Sequence, residues 1–202
     1  MLSDDLKQRL KKEFEHLIEP VELSFKGGKS ELTEEIVSIL KELASISEKI
    51  IYRQENTLKC YDYPCIGIRT PDIDTGIRFM GKPDGGEFPT FIKTILMVSR
   101  NEYDLTERTV EILEELDKPV DIKVFITKSC GWCPPTMLKI FSFALVSDYI
   151  TATAIDCYAF NKLAVKYNVA AVPKVVINDK VEFVGLKEEN EILGHIFGAV
   201  GL

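Results

Sequence analysis

Five cysteines stand out in this 202-residue chain as residues able to do chemistry: Cys60, Cys65, Cys130, Cys133 and Cys157. Cys130-Gly131-Trp132-Cys133 is a C-x-x-C pair, a spacing used for redox chemistry or metal binding. It comes directly after the apolar run Val124-Phe125-Ile126, and the spacing predicts that it opens a helix over 130–146. A helix N-terminus carries unpaired N–H groups and a partial positive charge. A thiolate there is stabilised, which brings the pKa of the first cysteine down towards about 7 or lower. Lys128, two residues earlier, adds positive charge if its side chain turns that way. The i,i+3 spacing sets both sulfurs on one side of a helical turn, where a disulfide forms and opens. Cys130 is then the exposed attacking thiolate that makes a mixed disulfide with a substrate, and Cys133 the more buried sulfur that resolves it. Gly131 permits close approach of a partner backbone. Trp132 is either a surface aromatic that packs on that partner or a piece of local packing.

The competing use of C-x-x-C is half of a zinc site, which needs a second pair of thiolates or imidazoles. Cys60 and Cys65 are the available second pair, but the strand-to-helix context of Cys130 fits redox use better. Cys157, at the end of a strand, reads as a small core residue. His16 and His195 lie on predicted helices far from the motif and read as surface or packing residues. Gly27-Gly28-Lys29-Ser30 lies between a strand and a helix as a phosphate loop would. The position where that motif needs its first glycine is Leu23, which argues against nucleotide binding.

The composition narrows the classes of partner. The net charge is −7, and nucleic acid binding needs a basic face, so none is expected. No stretch approaches the roughly 20 apolar residues of a membrane helix. The opening Met1-Leu2-Ser3-Asp4-Asp5 lacks the basic and apolar regions of a signal peptide, and a cytoplasmic location is expected. Glutamine is rare (Gln8 and Gln54) beside plentiful Glu and Lys, a leaning towards a thermophile.

The elements that position the motif follow from periodicity. Helices are predicted over 3–17, 31–43, 87–98, 106–116, 130–146, 158–167 and 187–197. Strands are predicted over 21–25, 49–53, 65–68, 76–80, 120–127, 151–156, 174–177 and 181–184, with Asn178-Asp179 as a hairpin signal. The order helix, strand, helix, strand, strand, strand, helix occurs twice. Pro20-Val21 and Pro119-Val120 precede the first strand of each half, and Phe79-Met80-Gly81 mirrors Phe183-Val184-Gly185, each pair about a hundred residues apart. The expectation is an internal duplication of a β-α-β…β-β-α unit: an α/β chain of two tandem units, 1–102 and 103–202, each a central mixed sheet flanked by helices.

Ala171-Val172-Pro173 lies just before the predicted strand 174–177, with Pro173 forty residues after Cys133. With it the sequence resembles the thioredoxin superfamily. That resemblance implies a cis Val172–Pro173 peptide facing the active-site disulfide, with the Val172 backbone offering hydrogen bonds to a substrate strand. The duplicated layout, Tyr167-Asn168-Val169-Ala170-Ala171-Val172-Pro173-Lys174, and the segment from Met80-Gly81-Lys82-Pro83 through Glu87-Phe88 resemble the glutaredoxin-like protein disulfide oxidoreductases of thermophiles. Members of that family carry two thioredoxin-fold units, usually each with C-x-x-C. Here the first unit departs from the pattern: the matching positions read Ser30-Glu31-Leu32-Thr33, and hydroxyls cannot run disulfide exchange. Pro64, after Tyr63, is the counterpart of Pro173. Cys65 follows it and Cys60 lies five residues upstream of Cys65. These two are ordinary thiols, a local structural disulfide or a relocated redox pair.

The function expected is a protein disulfide oxidoreductase. It would act on protein disulfides, take electrons from a flavoprotein thioredoxin reductase and need no metal or organic cofactor of its own. The alternative is a binding or chaperone-like module whose first unit holds a protein partner. Reductase, oxidase and isomerase share the same residues, so the direction of flow is not legible in the sequence.

Overall fold

The computed structural model describes residues 2–201. Helix α1 (Asp4–Phe14) is capped by Ser3, whose Oγ accepts the Leu6 N–H at 3.3 Å. Strand β1 (Val21–Lys26), helix α2 (Glu31–Ile46) and strands β2 (Ile50–Gln54), β3 (Cys65–Arg69) and β4 (Ile77–Met80) follow. A single 3₁₀ turn, Gly85–Glu87, leads into α3 (Phe88–Arg100). The remaining elements are α4 (Glu107–Glu114), β5 (Val120–Ile126), α5 (Cys133–Val146), β6 (Ile150–Asp156), α6 (Asn161–Lys166), β7 (Lys174–Ile177), β8 (Val181–Val184) and α7 (Glu189–Val200).

The strands form one eight-stranded mixed sheet in the order β2-β1-β3-β4-β6-β5-β7-β8. The first four strands run second, first, third, fourth, and the last four repeat that order. In each set the first two strands are parallel and the remaining pairings antiparallel. The sets join where β4 pairs in parallel with β6, Phe79 opposite Ala154. The fold is thus the α/β arrangement expected, a mixed sheet flanked by helices.

Side-chain alternation sorts the sheet's two faces. Leu23, Phe25, Ile66, Ile68, Phe79, Val124, Ile126, Ala154 and Val175 belong to the main core with the buried stripes of α2, α3 and α5. Residues one step out of phase, Cys65, Met80, Phe125, Ile155 and Val176, form a second apolar cluster. The central strands are therefore buried on both faces, and polar residues of their alternating sequences, Glu22, Ser24, Lys123 and Thr153, are buried with them.

Two helices begin three residues later than the sequence predicts. The helix expected to begin at Cys130 begins at Cys133, with Trp132 as its N-cap, because the turn closed by the Cys130 N–H and the Thr127 carbonyl occupies the residues ahead of it. The helix expected over 158–167 is confined to Asn161–Lys166. Its N-terminal end is displaced by an Asx turn in which the Tyr158 N–H donates to Asp156 Oδ1 at 2.9 Å. At the hairpin, Asn178 and Asp179 have φ of 50° and 54°, the left-handed conformation such a turn requires.

Candidate active site

Strand β5 delivers the C-x-x-C motif to the C-terminal end of the sheet. After Ile126 the chain turns, with the Cys130 N–H donating to the Thr127 carbonyl at 3.1 Å. Cys130 and Cys133 are joined as a disulfide, with Cα atoms 5.4 Å apart. Cys133 is wholly buried at the first turn of α5, whereas Cys130 is half-buried and packs on the edge of the core. Pro134 and Pro135 follow in that first turn, where a missing N–H costs nothing. The Cys133 N–H donates to Cys130 Sγ at 3.1 Å. This bond aims a helix-terminal donor at the outer sulfur, the feature that favours a thiolate there once the disulfide opens.

The surroundings of the motif are open on one side. Trp132 is 66% exposed, so its ring is a surface aromatic and is not spent on the core. A Cβ on Gly131 would meet nothing within 4 Å. On the other side, β7 runs antiparallel to β5 with Lys174 opposite Phe125. Buried Pro173 and half-buried Val172 lie just beyond that ladder, at the end of β5 from which the turn carrying Cys130 departs. The Val172–Pro173 peptide is cis, as is Tyr63–Pro64.

Ser30 and Thr33 occupy the corresponding place at the start of α2. Ser30 Oγ accepts the Thr33 N–H at 3.2 Å and donates to Thr33 Oγ1 at 3.0 Å. A contact from a backbone N–H to the side chain three residues earlier is thus made there without sulfur.

Cys60 and Cys65 are also disulfide-bonded, with Cα atoms 6.5 Å apart. Cys65 is wholly buried and Cys60 half-buried. The bond lies in the second apolar cluster with Leu58, Met80, Phe125 and Ile155, and neither cysteine sits at a helix N-terminus. It closes the loop carrying Tyr61, whose hydroxyl donates to Asp121 on β5. Tyr61 also covers the wholly buried Lys123, whose ammonium is 4.4 Å from the Tyr61 ring centre and bonds Asp121 at 2.6 Å and Asp179 at 2.8 Å. A lone ammonium at that depth would be strongly unfavourable, so this ring of partners is what allows Lys123 on β5.

Cys157 is a free, half-buried thiol. Burial first, then the neighbouring Asp156, push it up to about 11, which leaves it a poor nucleophile. His195 stacks on Phe183 with ring centres 4.8 Å apart, and His16 is exposed. Among the described residues no group of three or more His, Cys, Asp or Glu is arranged to hold a metal ion. Among them, too, no helix is long and apolar enough to cross a membrane.

Beneath the motif lies a cluster of acids that the sequence does not announce. The connection from β4 to α3 passes under the 127–130 turn so closely that a Cβ on Gly86 would collide with the Lys128 carbonyl. Asp84 in this connection pairs with Lys128 and with Lys82. Glu87 is buried with both carboxyl oxygens unpartnered. Burial first, then the charge of Asp156, push its carboxyl up to about 7, against the pull of Lys128. The one signal in the sequence is Asp84-Gly85-Gly86-Glu87, two glycines flanked by acids, which by pattern alone marks only the approach to a helix.

Comparison with known proteins agrees with this geometry. Residues 120–197 match the family model of a thioredoxin domain. The chain is 29% identical over 196 residues to the alkyl hydroperoxide reductase F of Escherichia coli (strain K12), covering 97% of this chain and 37% of that protein. The alkyl hydroperoxide reductase F of Staphylococcus epidermidis is 28% identical over 178 residues, 88% of this chain and 34% of that protein. The chain therefore spans little more than a third of the curated relatives it matches. Among solved structures, a protein disulfide oxidoreductase from Aeropyrum pernix K1 superposes with a TM-score of 0.87 at 25% identity, covering 100% of this chain and 95% of that one. A structure of the alkyl hydroperoxide reductase F of Enterococcus faecalis superposes with a TM-score of 0.85 at 22% identity, covering 96% and 99%.

Proposed function

We propose that the chain is a protein thiol–disulfide oxidoreductase working through the Cys130–Cys133 couple. The observation that carries this reading is the asymmetry of the pair: a half-buried Cys130 whose sulfur accepts a helix-terminal N–H, beside a wholly buried Cys133. In the reducing direction the Cys130 thiolate attacks one sulfur of a substrate disulfide. A Cys130–substrate bond forms and the other substrate sulfur leaves as a thiolate. Cys133, deprotonated, then attacks Cys130 Sγ and releases the second substrate thiolate. The substrate gains two electrons and two protons, and the dithiol becomes the disulfide present in the structure. The reverse sequence introduces a disulfide. Trp132 offers an exposed face to the substrate chain, and the Val172 backbone offers hydrogen bonds to a strand laid across Cys130.

A flavoprotein reductase is the electron donor that this chemistry calls for, and the cytoplasm the location where it runs. The same reading divides the chain into two thioredoxin-like units, 1–102 and 103–202, the first without a redox pair in its motif position, and gives it a thermophilic origin. The Cys60–Cys65 bond is assigned a structural part, as a clasp on the Tyr61 loop, because Cys65 is sealed in an apolar cluster with no helix terminus to activate it.

The test is reduction of insulin by dithiothreitol, followed as turbidity. The parent protein should accelerate it and Cys130→Ser should not. An unchanged rate in the variant would remove the assignment. A second reading, in which the first unit holds a protein partner, draws on Ile18 and Ile73. These are 59% and 60% exposed and line one cleft with Pro20 and Pro71. Suppression of aggregation of an unfolded client by Cys130→Ser would favour it.

A further inference from the structure

Lys128 stands two residues before Cys130, where a free ammonium would favour the thiolate, yet its charge is not free. It is ion-paired with Asp84, which reaches it from the β4–α3 connection. Asp84 in turn bonds Lys82 at 3.2 Å, and Lys82 bonds Glu35 of α2 at 3.0 Å. Burial would raise the Asp84 carboxyl, but the hydrogen bonds from Lys128 and Lys82 outweigh it and hold the group below the usual carboxylate range. Asp84 is therefore ionised at neutral pH. The backbone around it is fixed as well, since there is no room between Gly86 and the Lys128 carbonyl. Glu35, Lys82, Asp84, Lys128 and Asp156 line one cleft of about 350 Å³ with Leu32 and Tyr158. That cleft runs from the sulfur-free helix start of α2 to the turn that carries Cys130.

We infer that Asp84 is a positioning residue for disulfide exchange: by holding Lys128 it sets how readily Cys130 ionises, and so how oxidising the Cys130–Cys133 couple is. The inference rests on the reading of Cys130 as the attacking thiolate. The signs follow from charge alone. A carboxylate near Cys130 opposes the thiolate and an ammonium favours it. Removing the carboxylate leaves Lys128 uncompensated, stabilises the thiolate and favours the reduced protein. Removing the ammonium does the opposite. Glu87 and Asp156 face the same turn and remain in every variant; because Lys128 pulls the Glu87 carboxyl down, loss of Lys128 leaves Glu87 more protonated, which partly offsets the rise expected in Lys128→Gln.

The experiment measures the Cys130 pKa in the reduced full chain from the pH dependence of its iodoacetamide alkylation, read on the Cys130 peptide by mass spectrometry. The Cys130–Cys133 equilibrium with glutathione is measured beside it. Asp84→Asn should lower the Cys130 pKa by about half a pH unit to one unit, and Lys128→Gln should raise it by a similar amount. The double variant should fall between them, and Lys128→Arg, which keeps the charge, should match the parent. The glutathione equilibrium should move about two- to fivefold towards the reduced protein in Asp84→Asn and the other way in Lys128→Gln. Loosening of the turn alone would move both single variants in one direction, and that result, or no movement in either, overturns the inference. Failure of the underlying reading is separate: the parent itself would then not accelerate insulin reduction.

Discussion

The backbone N–H of Cys133 donates to Cys130 Sγ at 3.1 Å, and a hundred residues earlier the N–H of Thr33 donates to Ser30 Oγ at 3.2 Å. A backbone N–H thus donates to a side-chain atom three residues earlier at the start of two helices that each follow a strand, as a side-chain cap in α2 and ahead of the N-cap Trp132 in α5. One acceptor is a sulfur, an atom able to enter disulfide exchange, and the other a hydroxyl oxygen, which cannot. Ser30 is a strong N-cap residue because helix-terminal donors converge on it, and the first N–H of α5 is one such donor presented to Cys130 Sγ.

The division of labour within the pair predicts a trapped intermediate. In the proposed mechanism Cys133 is the resolving sulfur, and it is wholly buried. Cys133→Ser should still attack a protein disulfide through Cys130 but should be unable to release it. Incubation with an oxidised protein substrate should then accumulate a dithiothreitol-sensitive adduct on a non-reducing gel, while Cys130→Ser yields none. Equal adduct formation by both variants would mean that the roles are reversed or shared.

The hydroxyl pair in the first half predicts a gain of sulfur chemistry. Ser30 Oγ and Thr33 Oγ1 are 3.0 Å apart at the start of α2, so the positions already meet. The double variant Ser30→Cys, Thr33→Cys should form a disulfide between the new residues under mild oxidation, found as a linked peptide by mass spectrometry. Cap strength is partly lost with the oxygen, so stability should fall by about 1 kcal/mol when the new pair is reduced. Free thiols after oxidation would show that the two helix starts are not equivalent.

Much of this is legible in the sequence because it depends on neighbours along the chain. Alternation in Val21–Lys26 and Val120–Ile126 reveals strands, and Cys130 to Cys133 is contiguous, so strand, turn and helix start are readable together. The bonding of Cys60 to Cys65 is not, since a disulfide needs Cα atoms and Cβ directions that spacing alone does not fix. Asp84 and Glu87 are hidden for a further reason. They act on a turn more than forty residues away, through the packing of Gly86 against Lys128, and periodicity carries no record of such contacts. The helix starts three residues later than its pattern predicts because a turn closed by the Cys130 N–H and the Thr127 carbonyl lies ahead of it, and periodicity does not mark such a turn.

The clasp assigned to Cys60–Cys65 predicts a loss of stability without a loss of activity. The bond closes a five-residue separation, for which loop-closure entropy gives about 2 kcal/mol. Cys60→Ser, Cys65→Ser should lower Tm by about 4–8 °C. Amides of residues 55–64 should lose exchange protection as Tyr61 loosens from Asp121 and Lys123. Insulin reduction at 25 °C should be retained. A variant that keeps its Tm but loses turnover would instead make this bond a second working redox pair.

Glu87 predicts a pH dependence with a definite sign. Its carboxyl is 1% exposed and is pushed from 4.5 up to about 7, by burial and then by Asp156. A raised carboxylate pKa means that the folded chain holds the proton between about pH 4.5 and 7 while the unfolded chain has released it. Stability from this group is therefore complete below about pH 4.5 and is lost as the pH rises towards 7. The loss is on the order of 3 kcal/mol, the free energy of that shift. Glu87→Gln keeps the shape and never ionises, so it should escape the loss. Urea unfolding at pH 5 and pH 8 should find the variant close to the parent at the lower pH. At the higher pH it should be more stable, with its midpoint moved up and its slope unchanged. A gap that does not widen with pH would mean that Glu87 is ionised in the folded chain throughout, with a counter-charge or water supplying the partners its two oxygens lack.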